Sequence, residues 1–351
     1  MLSPRDPYRL VGRTFVNKYR IDELVGIGGM GAVYKAYHLA LGRIVAIKIL
    51  KPDFSYSNKK IAELFEREAM VVARLNHENI VAIFDAGWTD EGIAYIVMEW
   101  LEGHTLDAEI SNHGPLSFER TADILRQVSS ALEEAHSHHI IHRDLKPSNI
   151  MLTKRQDGRE RVKVLDFGIA KVLDTTTGSA VSMIAGTPYY MSPEQVQSGA
   201  LIDGRADIYS LGVVLFEMLT GTKPFEGGSI YELIKFHADS LPPSLCSMRQ
   251  DAPKAAEELL NRMMAKTPDH RPQRISEIPQ LFDLALAHSP VPAILPSLVR
   301  GESKNADLSF TAPLDEISKG WGKEPTGVGA IRPKRGSLLL VVKAHNILCS
   351  Q

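Results

Sequence analysis

Short runs of alternating apolar and polar positions dominate the first hundred residues, and longer runs with a helical period dominate the rest. The period-two runs predict five strands, at Tyr19–Val25, Ala32–Tyr37, Arg43–Leu50, Ile80–Phe84 and Ile93–Met98. Between the third and fourth of these strands, an apolar stripe predicts an amphipathic helix over Ile61–Leu75. The first part of the chain is therefore expected to form a small sheet with one helix.

Beyond residue 104 the pattern is mainly helical. Ser117 is the expected N-cap of an amphipathic helix, and Asp207 opens an apolar helix that Gly221 stops. A strand is expected at Val162–Leu165. The helical period ends after Ala287, and the following residues are rich in Pro, Gly, Ser and Lys. We interpret residues 288–351 as a disordered tail.

Composition narrows the class of protein further. The 351 residues are 44 % hydrophobic and 23 % charged with a net charge of −2, which is typical of a globular chain without a global basic field. Cys246 and Cys349 are the only cysteines and lie far apart, which indicates a reducing compartment. The sequence has neither a signal-peptide pattern nor an apolar run of membrane-spanning length. We therefore expect a cytoplasmic protein with no transmembrane segment and no nucleic-acid partner.

A glycine-rich loop joins the first two predicted strands: Gly26, Ile27, Gly28, Gly29, Met30 and Gly31. Without Cβ atoms, such a loop lets backbone N–H groups approach phosphates. A dinucleotide-binding turn has the same spacing but opens a helix, whereas a strand follows here. In the next strand, the period of two places Ala46 and Lys48 on one face and Val45 and Ile47 on the other.

A polar loop, His142 to Asn149, lies between a predicted helix and a predicted strand. Phosphoryl transfer needs a carboxylate, a cation and oxygen ligands for magnesium, and Asp144, Lys146 and Asn149 can supply one of each. Asp166-Phe167-Gly168 follows the next strand. Glu68 lies on the apolar stripe of its helix, where a carboxylate requires a partner.

Together, in this order, these motifs resemble those of the protein kinase family, and the glycine loop and Ser192-Pro193-Glu194-Gln195 resemble those of its bacterial members. Lys146 fits the serine/threonine-specific branch. The resemblance implies an α+β fold with two lobes, an antiparallel-sheet N-lobe with one helix and a mainly helical C-lobe. We expect a lead at 1–18, an N-lobe at 19–98, a hinge at 99–103, a C-lobe at 104–287 and the tail beyond.

The resemblance also implies the roles of individual residues, with ATP and Mg²⁺ as cofactors. The expected catalytic residues are Asp144, Lys146, Lys48 and Glu68, with Glu68 paired to Lys48. The expected metal ligands are Asn149 and Asp166. The expected nucleotide-binding residues are Gly26, Ile27, Gly28, Gly29, Met30, Gly31, Val33, Ala46, Lys48, Glu99, Leu101 and Met151. Asp207 is expected to anchor the catalytic loop, and Arg271 to pair with Glu194.

Regulation is expected in the segment between Lys171 and Ile184, which is rich in hydroxyl groups. The candidate positions are Thr175, Thr176, Thr177, Ser179 and Ser182, followed by Thr187 near the substrate. A phosphate adds roughly −1.5 to −2 charges and can accept a bidentate contact from Arg143, which directly precedes Asp144. We therefore expect activation by autophosphorylation of this loop, in a transient dimer.

The expected activity is transfer of the ATP γ-phosphoryl group to Ser or Thr hydroxyls of protein substrates. A small-molecule kinase would lack the long activation segment and its Ser192-Pro193-Glu194 anchor. Two alternatives stay open. One is a kinase-like scaffold without activity, although Lys48, Asp144 and Asp166 are all in place. The other is a protein whose main role lies in localisation by the tail.

Overall fold

The first lobe of the molecule is an antiparallel sheet. The computed structural model describes residues 6–28, 31–50, 69–167, 188–196 and 200–287. Six strands lie in the order β1-β2-β3-β4-β6-β5. Their bounds are β1 Thr14–Phe15, β2 Tyr19–Gly28, β3 Gly31–His38, β4 Arg43–Leu50, β5 Ile83–Trp88 and β6 Ala94–Glu99. Short connections join the neighbouring pairs β1 and β2, β2 and β3, β3 and β4, and β5 and β6, whereas β4 and β6 are neighbours that are distant in sequence.

The two faces of β4 belong to different cores, as the period of two predicts. Val45 and Ile47 are fully buried in a cluster on one face of the sheet. Ala46 lies in the other cluster, which continues into the second lobe. Lys48 shares the face of Ala46 and therefore points toward the region between the lobes.

Residues ahead of Tyr19 also belong to this lobe. β1 pairs with β2, with Phe15 opposite Tyr19. The carboxylate of Asp6 accepts a hydrogen bond from the Tyr34 hydroxyl at 2.5 Å and from the backbone N–H of Val11 at 2.9 Å. The segment before the predicted domain start thus packs against β3 and covers the outer face of the sheet.

The second lobe is mainly helical. Its helices are α1 Leu106–His113, α2 Phe118–Ser137, α3 Pro193–Val196, α4 Arg205–Thr220, α5 Ile230–Asp239, α6 Leu245–Met248, α7 Lys254–Met263 and α8 Glu277–Leu286. A three-stranded sheet of β7 Gly103–Thr105, β8 Ile150–Lys154 and β9 Glu160–Val164 completes it. Ser117 caps α2 by accepting from the N–H of Arg120. α4 is buried almost all round and ends at Gly221, whose φ of 74° is left-handed.

Several strand boundaries differ from their predictions, and the start of the fourth strand differs for a reason that lies in the second lobe. The fourth strand was expected at Ile80–Phe84, but β5 starts at Ile83. The N–H of Val81 donates to the carbonyl of Val164, and the N–H of Val164 donates to the carbonyl of Asn79. Residues 79–81 therefore pair with the end of β9 in the second lobe and are not available to the first sheet. The sequence period alone cannot tell whether an apolar run pairs within the first sheet or with β9 of the second lobe.

The expected helix at 61–75 is described only in its last part, where residues 69–73 are helical. Glu68 lies outside the described residues. Within the described ranges, no helix has the length and apolar character required to cross a membrane.

Candidate active site

The polar loop after α2 is anchored to the interior by one carboxylate. Asp207, at the start of α4, is fully buried and accepts hydrogen bonds from the N–H of His142 at 2.8 Å and the N–H of Arg143 at 2.9 Å. His136 Nε2 also contacts it at 2.8 Å. Burial alone raises the pKa of Asp207, but these hydrogen bonds outweigh it and hold the pKa below its usual range. The expected anchor is therefore present.

Asp144, Lys146 and Asn149 form a compact polar group. Lys146 Nζ lies 2.8 Å from Asp144 Oδ2. The Asn149 amide donates to the backbone carbonyl of Asp144 at 2.8 Å and to its Oδ2 at 3.2 Å. The side chain of Asp144 is only 9 % exposed. Donors from Lys146 and Asn149 thus hold the Asp144 carboxylate in one orientation. The Oδ1 of Asn149 is directed away from this contact.

His142 links this loop to the strand that carries Asp166. Burial lowers the pKa of the fully enclosed imidazole, so it is neutral at neutral pH. Nε2 lies 2.8 Å from the carbonyl of Leu165, and Nδ1 lies 3.2 Å from the backbone N of Asp144. Since the carbonyl can only accept and the N–H can only donate, the proton is on Nε2. The ring also packs against Phe167 at 4.7 Å between centroids.

A salt bridge joins the two lobes at the cleft. Lys48 Nζ, from β4, lies 2.8 Å from Asp166 Oδ2. Asp166 has a left-handed φ of 51°, and the preceding residue, Leu165, is held through its N–H by the carbonyl of Asn149. Asp166 and Asn149 are therefore fixed next to one another through a backbone hydrogen bond. The expected partner of Lys48, Glu68, lies outside the described residues.

The expected adenine site lies between β4, β6 and β8. Ala46 is opposite Met98 in the sheet, and both are buried, at 7 % and 9 % exposure. The N–H of Glu99 is already bonded to the carbonyl of Ala82 at 2.9 Å, so its carbonyl is the group that the backbone there can offer. The remaining expected lining residues, Val33, Leu101 and Met151, are half-buried.

The glycine loop is described at Gly26, Ile27, Gly28 and Gly31, where Gly28 pairs with Gly31 across the strands. Gly31 has a φ of 150°, and a Cβ built there would lie 1.9 Å from the carbonyl oxygen of Ile49. Close strand packing therefore requires this glycine, independently of any nucleotide. Gly29 and Met30 lie outside the described residues.

The expected pair of Glu194 and Arg271 is present and buried. The Arg271 guanidinium contacts the Glu194 carboxylate in a bidentate way, at 2.6 Å and 2.8 Å. This pair attaches residues 188–196 to the second lobe. The regulatory candidates fall outside the described residues: Thr175, Thr176, Thr177, Ser179, Ser182 and Thr187.

Two buried contacts at the site were not anticipated from the sequence. Lys163 Nζ, on β9, lies 2.6 Å from Glu99 Oε1 and 3.0 Å from the carbonyl of Ile80. Gln195 Nε2 donates to the carbonyl of Arg143 at 2.8 Å. For Lys163 a signal existed, because a lysine between valines in an apolar strand needs a buried partner.

Comparison with known proteins agrees with this geometry. The sequence model of the family described as the protein kinase domain matches residues 19–282 of this chain. The chain belongs to the protein kinase family.

Two relatives and two solved structures illustrate the similarity. The chain is 37 % identical to the serine/threonine-protein kinase pkn3 of Myxococcus xanthus, over 95 % of this chain and 63 % of that protein. It is 41 % identical to PrkC of Bacillus subtilis, over 75 % of this chain and 39 % of that protein. The chain thus spans about two-fifths to three-fifths of these relatives. The resemblance to bacterial members is confirmed.

Among solved structures, the PknI kinase domain of M. tuberculosis superimposes with a TM-score of 0.64 at 28 % identity, covering 79 % of this chain and 98 % of that one. A structure of Rad53 residues 1–466, solved in complex with AMP-PNP, has a TM-score of 0.61 at 27 % identity, covering 75 % of this chain and 65 % of that one. The expected two-lobed kinase fold is therefore confirmed.

Proposed function

We propose that this chain is an ATP-dependent serine/threonine protein kinase that transfers the γ-phosphoryl group to hydroxyl groups of protein substrates. The observation that supports this most directly is the pair of polar groups at the cleft. Asp144 is held by Lys146 at 2.8 Å, and Asp166 by Lys48 at 2.8 Å. Asp144 and Lys146 are suited to the attacking hydroxyl, and Asp166 and Lys48 are suited to the phosphates.

Asp144 orients the substrate hydroxyl and accepts its proton as the oxygen attacks. Because Asp144 is 9 % exposed and held by two neighbours, it needs little rearrangement to act. Lys146 lies within reach of both this carboxylate and a group transferred next to it. Its ammonium balances negative charge that develops on the phosphoryl oxygens.

The residues present fit a nucleotide and magnesium. Asn149 uses its amide N–H₂ on Asp144, which leaves its Oδ1 as an oxygen ligand, and Asp166 supplies a carboxylate. Ala46 and Met98 offer an apolar surface to adenine, and the carbonyl of Glu99 and the N–H of Leu101 offer its hydrogen bonds. When bound, ATP supplies the phosphoryl group and Mg²⁺ neutralises its charge. Lys48 orients the phosphates through its ammonium.

The main alternative is an inactive kinase-like scaffold. Asp144→Asn separates the two functions, because the amide keeps the shape but cannot accept the proton. We expect the variant to lose phosphoryl transfer to a protein substrate while its affinity for ATP stays nearly unchanged. Asp157→Asn is the matched control, since Asp157 lies in the exposed hairpin between β8 and β9. Retained transfer in Asp144→Asn would exclude the assigned role.

We also propose regulation by autophosphorylation between Thr175 and Ser182, in a transient dimer of the cytoplasmic protein. Arg143 directly precedes Asp144, so a phosphate that it bound would act next to the catalytic carboxylate. Mass spectrometry of active enzyme should find a modified residue in this window. Phosphatase treatment should slow the enzyme, and equal rates before and after complete dephosphorylation would refute the switch.

A further inference from the structure

Arg143 has an unusual backbone conformation directly before the catalytic carboxylate. Its φ is 61°, in the left-handed region that L residues other than Asn and Asp seldom adopt. Such a conformation persists only where the surroundings fix it, and it is common at functional sites. The direction of Asp144 depends on this residue, because a change of φ at Arg143 rotates everything that follows.

Two side chains hold the backbone of Arg143 from opposite sides. Asp207 Oδ1 accepts its N–H at 2.9 Å, which the family resemblance leads one to expect. The carbonyl of Arg143 accepts a hydrogen bond from Gln195 Nε2 at 2.8 Å. Gln195 comes from α3, at the end of the substrate-binding part of the activation segment, and is separated from Arg143 by 52 residues.

Ser192 determines which way the Gln195 amide points. Gln195 Oε1 accepts the backbone N–H of Ser192 at 3.0 Å and lies 3.2 Å from its Oγ. Since the backbone N–H can only donate, the oxygen of the amide must face Ser192 and the N–H₂ must face Arg143. Ser192 is fully buried and Gln195 is 9 % exposed, so water does not compete for these contacts.

We propose that Gln195 is a positioning residue for catalysis: it fixes the left-handed Arg143 peptide and thereby the direction of Asp144, with Ser192 as its orienting partner. The inference rests on the role proposed for Asp144. It also assigns a contact to the Ser192 hydroxyl, whose Oγ lies 3.2 Å from Gln195 Oε1 and shares in holding the amide.

The contact between Gln195 and Arg143 can be removed without detaching residues 188–196 from the second lobe. Glu194, the neighbouring residue, is held by Arg271 through two hydrogen bonds. Residues 188–196 therefore remain docked when the Gln195 contact is lost. A change at Gln195 should act on the catalytic loop and leave the fold of the lobe in place.

Gln195→Met keeps the length of the side chain but removes donor and acceptor. We expect kcat to fall about tenfold or more, because small misplacements of catalytic groups are costly. The KM for ATP should stay nearly constant, since no nucleotide contact changes. The thermal midpoint should fall by only a few degrees, because the Arg143 carbonyl and the Ser192 N–H each lose a buried partner at about 1 kcal/mol while the Glu194 anchor stays. Ser192→Ala keeps the backbone N–H and should lower kcat by only about two- to threefold. All variants are compared at equal phosphorylation, verified by intact mass.

Gln195→Glu adds a readout that a purely structural role would not move. Its ionised carboxylate directs an oxygen at the Arg143 carbonyl and should lower kcat at least as much as Gln195→Met. When protonated, it regains a donor toward that carbonyl, and burial raises the pKa of such a group. Its kcat relative to wild type should therefore rise between about pH 8 and pH 6, whereas that of Gln195→Met should not. Gln273→Glu is the control, because this exposed glutamine also donates to a backbone carbonyl, that of Arg271.

The outcomes separate the inference from the function on which it rests. Wild-type kcat in Gln195→Met, or a flat relative pH profile in Gln195→Glu, overturns the positioning role even when Asp144→Asn is inactive. If Asp144→Asn retains transfer, the role of Asp144 fails first. In an Asp144→Asn background, any residual rate should be unaffected by Gln195→Met, and a further tenfold loss would contradict action through Asp144.

Discussion

The buried pair of Glu194 and Arg271 offers a strong test of how the substrate-binding segment is held. The Arg271 guanidinium is completely enclosed and Glu194 is 7 % exposed. All five N–H groups of the guanidinium are used. Two contact Glu194, at 2.6 Å and 2.8 Å, and the others reach the carbonyls of Ala265, Arg205 and Lys266 at 2.7 Å, 2.8 Å and 3.2 Å.

Arg271→Met leaves the Glu194 carboxylate buried without its countercharge, and it also leaves three carbonyls without a donor. Removing one partner of a buried ion pair costs about 3–5 kcal/mol. Arg271→Lys keeps the charge but has at most three donors, so at least two contacts are lost, at about 1 kcal/mol each. We therefore expect Arg271→Met to be the more destabilising substitution, by about 1–3 kcal/mol.

The measurement is hydrogen exchange of α4 amides together with urea unfolding of the full chain. A double-mutant cycle with Glu194→Gln isolates the interaction between the two residues. Arg249→Met is a control, since Arg249 also donates to backbone carbonyls of the same lobe, those of Leu116 and Leu219, without a buried carboxylate partner. A coupling below about 0.5 kcal/mol, or equal effects of Met and Lys at position 271, would refute the reasoning.

Three further predictions concern other contacts. Lys48→Met removes the 2.8 Å bridge to Asp166 and should lower kcat/KM by about 10² or more; initial rates test this, and an unchanged value would contradict the role. Lys163→Met removes one of two donors to Glu99 Oε1, the other being the N–H of Ala82, and should raise the KM for ATP about three- to tenfold with less change in kcat; an unaltered KM would exclude a role of Lys163 in holding the expected hinge. Burial lowers the pKa of His237 from 6.5 to about 4. As the pH drops, the unfolded chain therefore takes up a proton that the folded chain excludes. The free energy of unfolding should fall by up to about 3 kcal/mol between pH 6.5 and pH 4. Thermal midpoints across this range should be flatter for His237→Asn, and parallel curves would show that another group is responsible.

Sequence reasoning succeeded where a residue's position follows from a local period or a short motif. Asp144, Lys146 and Asn149 lie within six residues of one loop, so their closeness needs little knowledge of the fold. The two faces of β4 follow from alternation alone, which places Val45 and Ala46 in different clusters. Local geometry determines these features.

Two contacts between distant residues were not anticipated, whereas the distant contacts of Asp207 with the loop and of Glu194 with Arg271 were expected from the family resemblance and not from local pattern. Gln195 meets Arg143 across 52 residues, and Lys163 meets Glu99 across 64. The wrong start of β5 has the same origin, because residues 79–81 pair with Val164, far along the chain. Gln195 could equally face solvent when only its neighbours in sequence are considered. The neighbours of Lys163 indicate that it is buried but do not identify its partner, which only the three-dimensional packing supplies.

The contacts divide the site into two parts with different supports. Asp144 is oriented within the second lobe, through Asp207 and Gln195 acting on the Arg143 peptide and through Lys146. Asp166 is also reached from the first lobe, through Lys48. On the proposed roles, a shift of the first lobe relative to the second acts directly on the phosphate side, because Lys48 belongs to the sheet of the first lobe. A change in residues 188–196 reaches Asp144 through the Arg143 peptide, since Gln195 belongs to that segment. On the roles proposed for Asp144 and Lys48, a rearrangement of residues 188–196 alters the orientation of the substrate hydroxyl without altering nucleotide contacts.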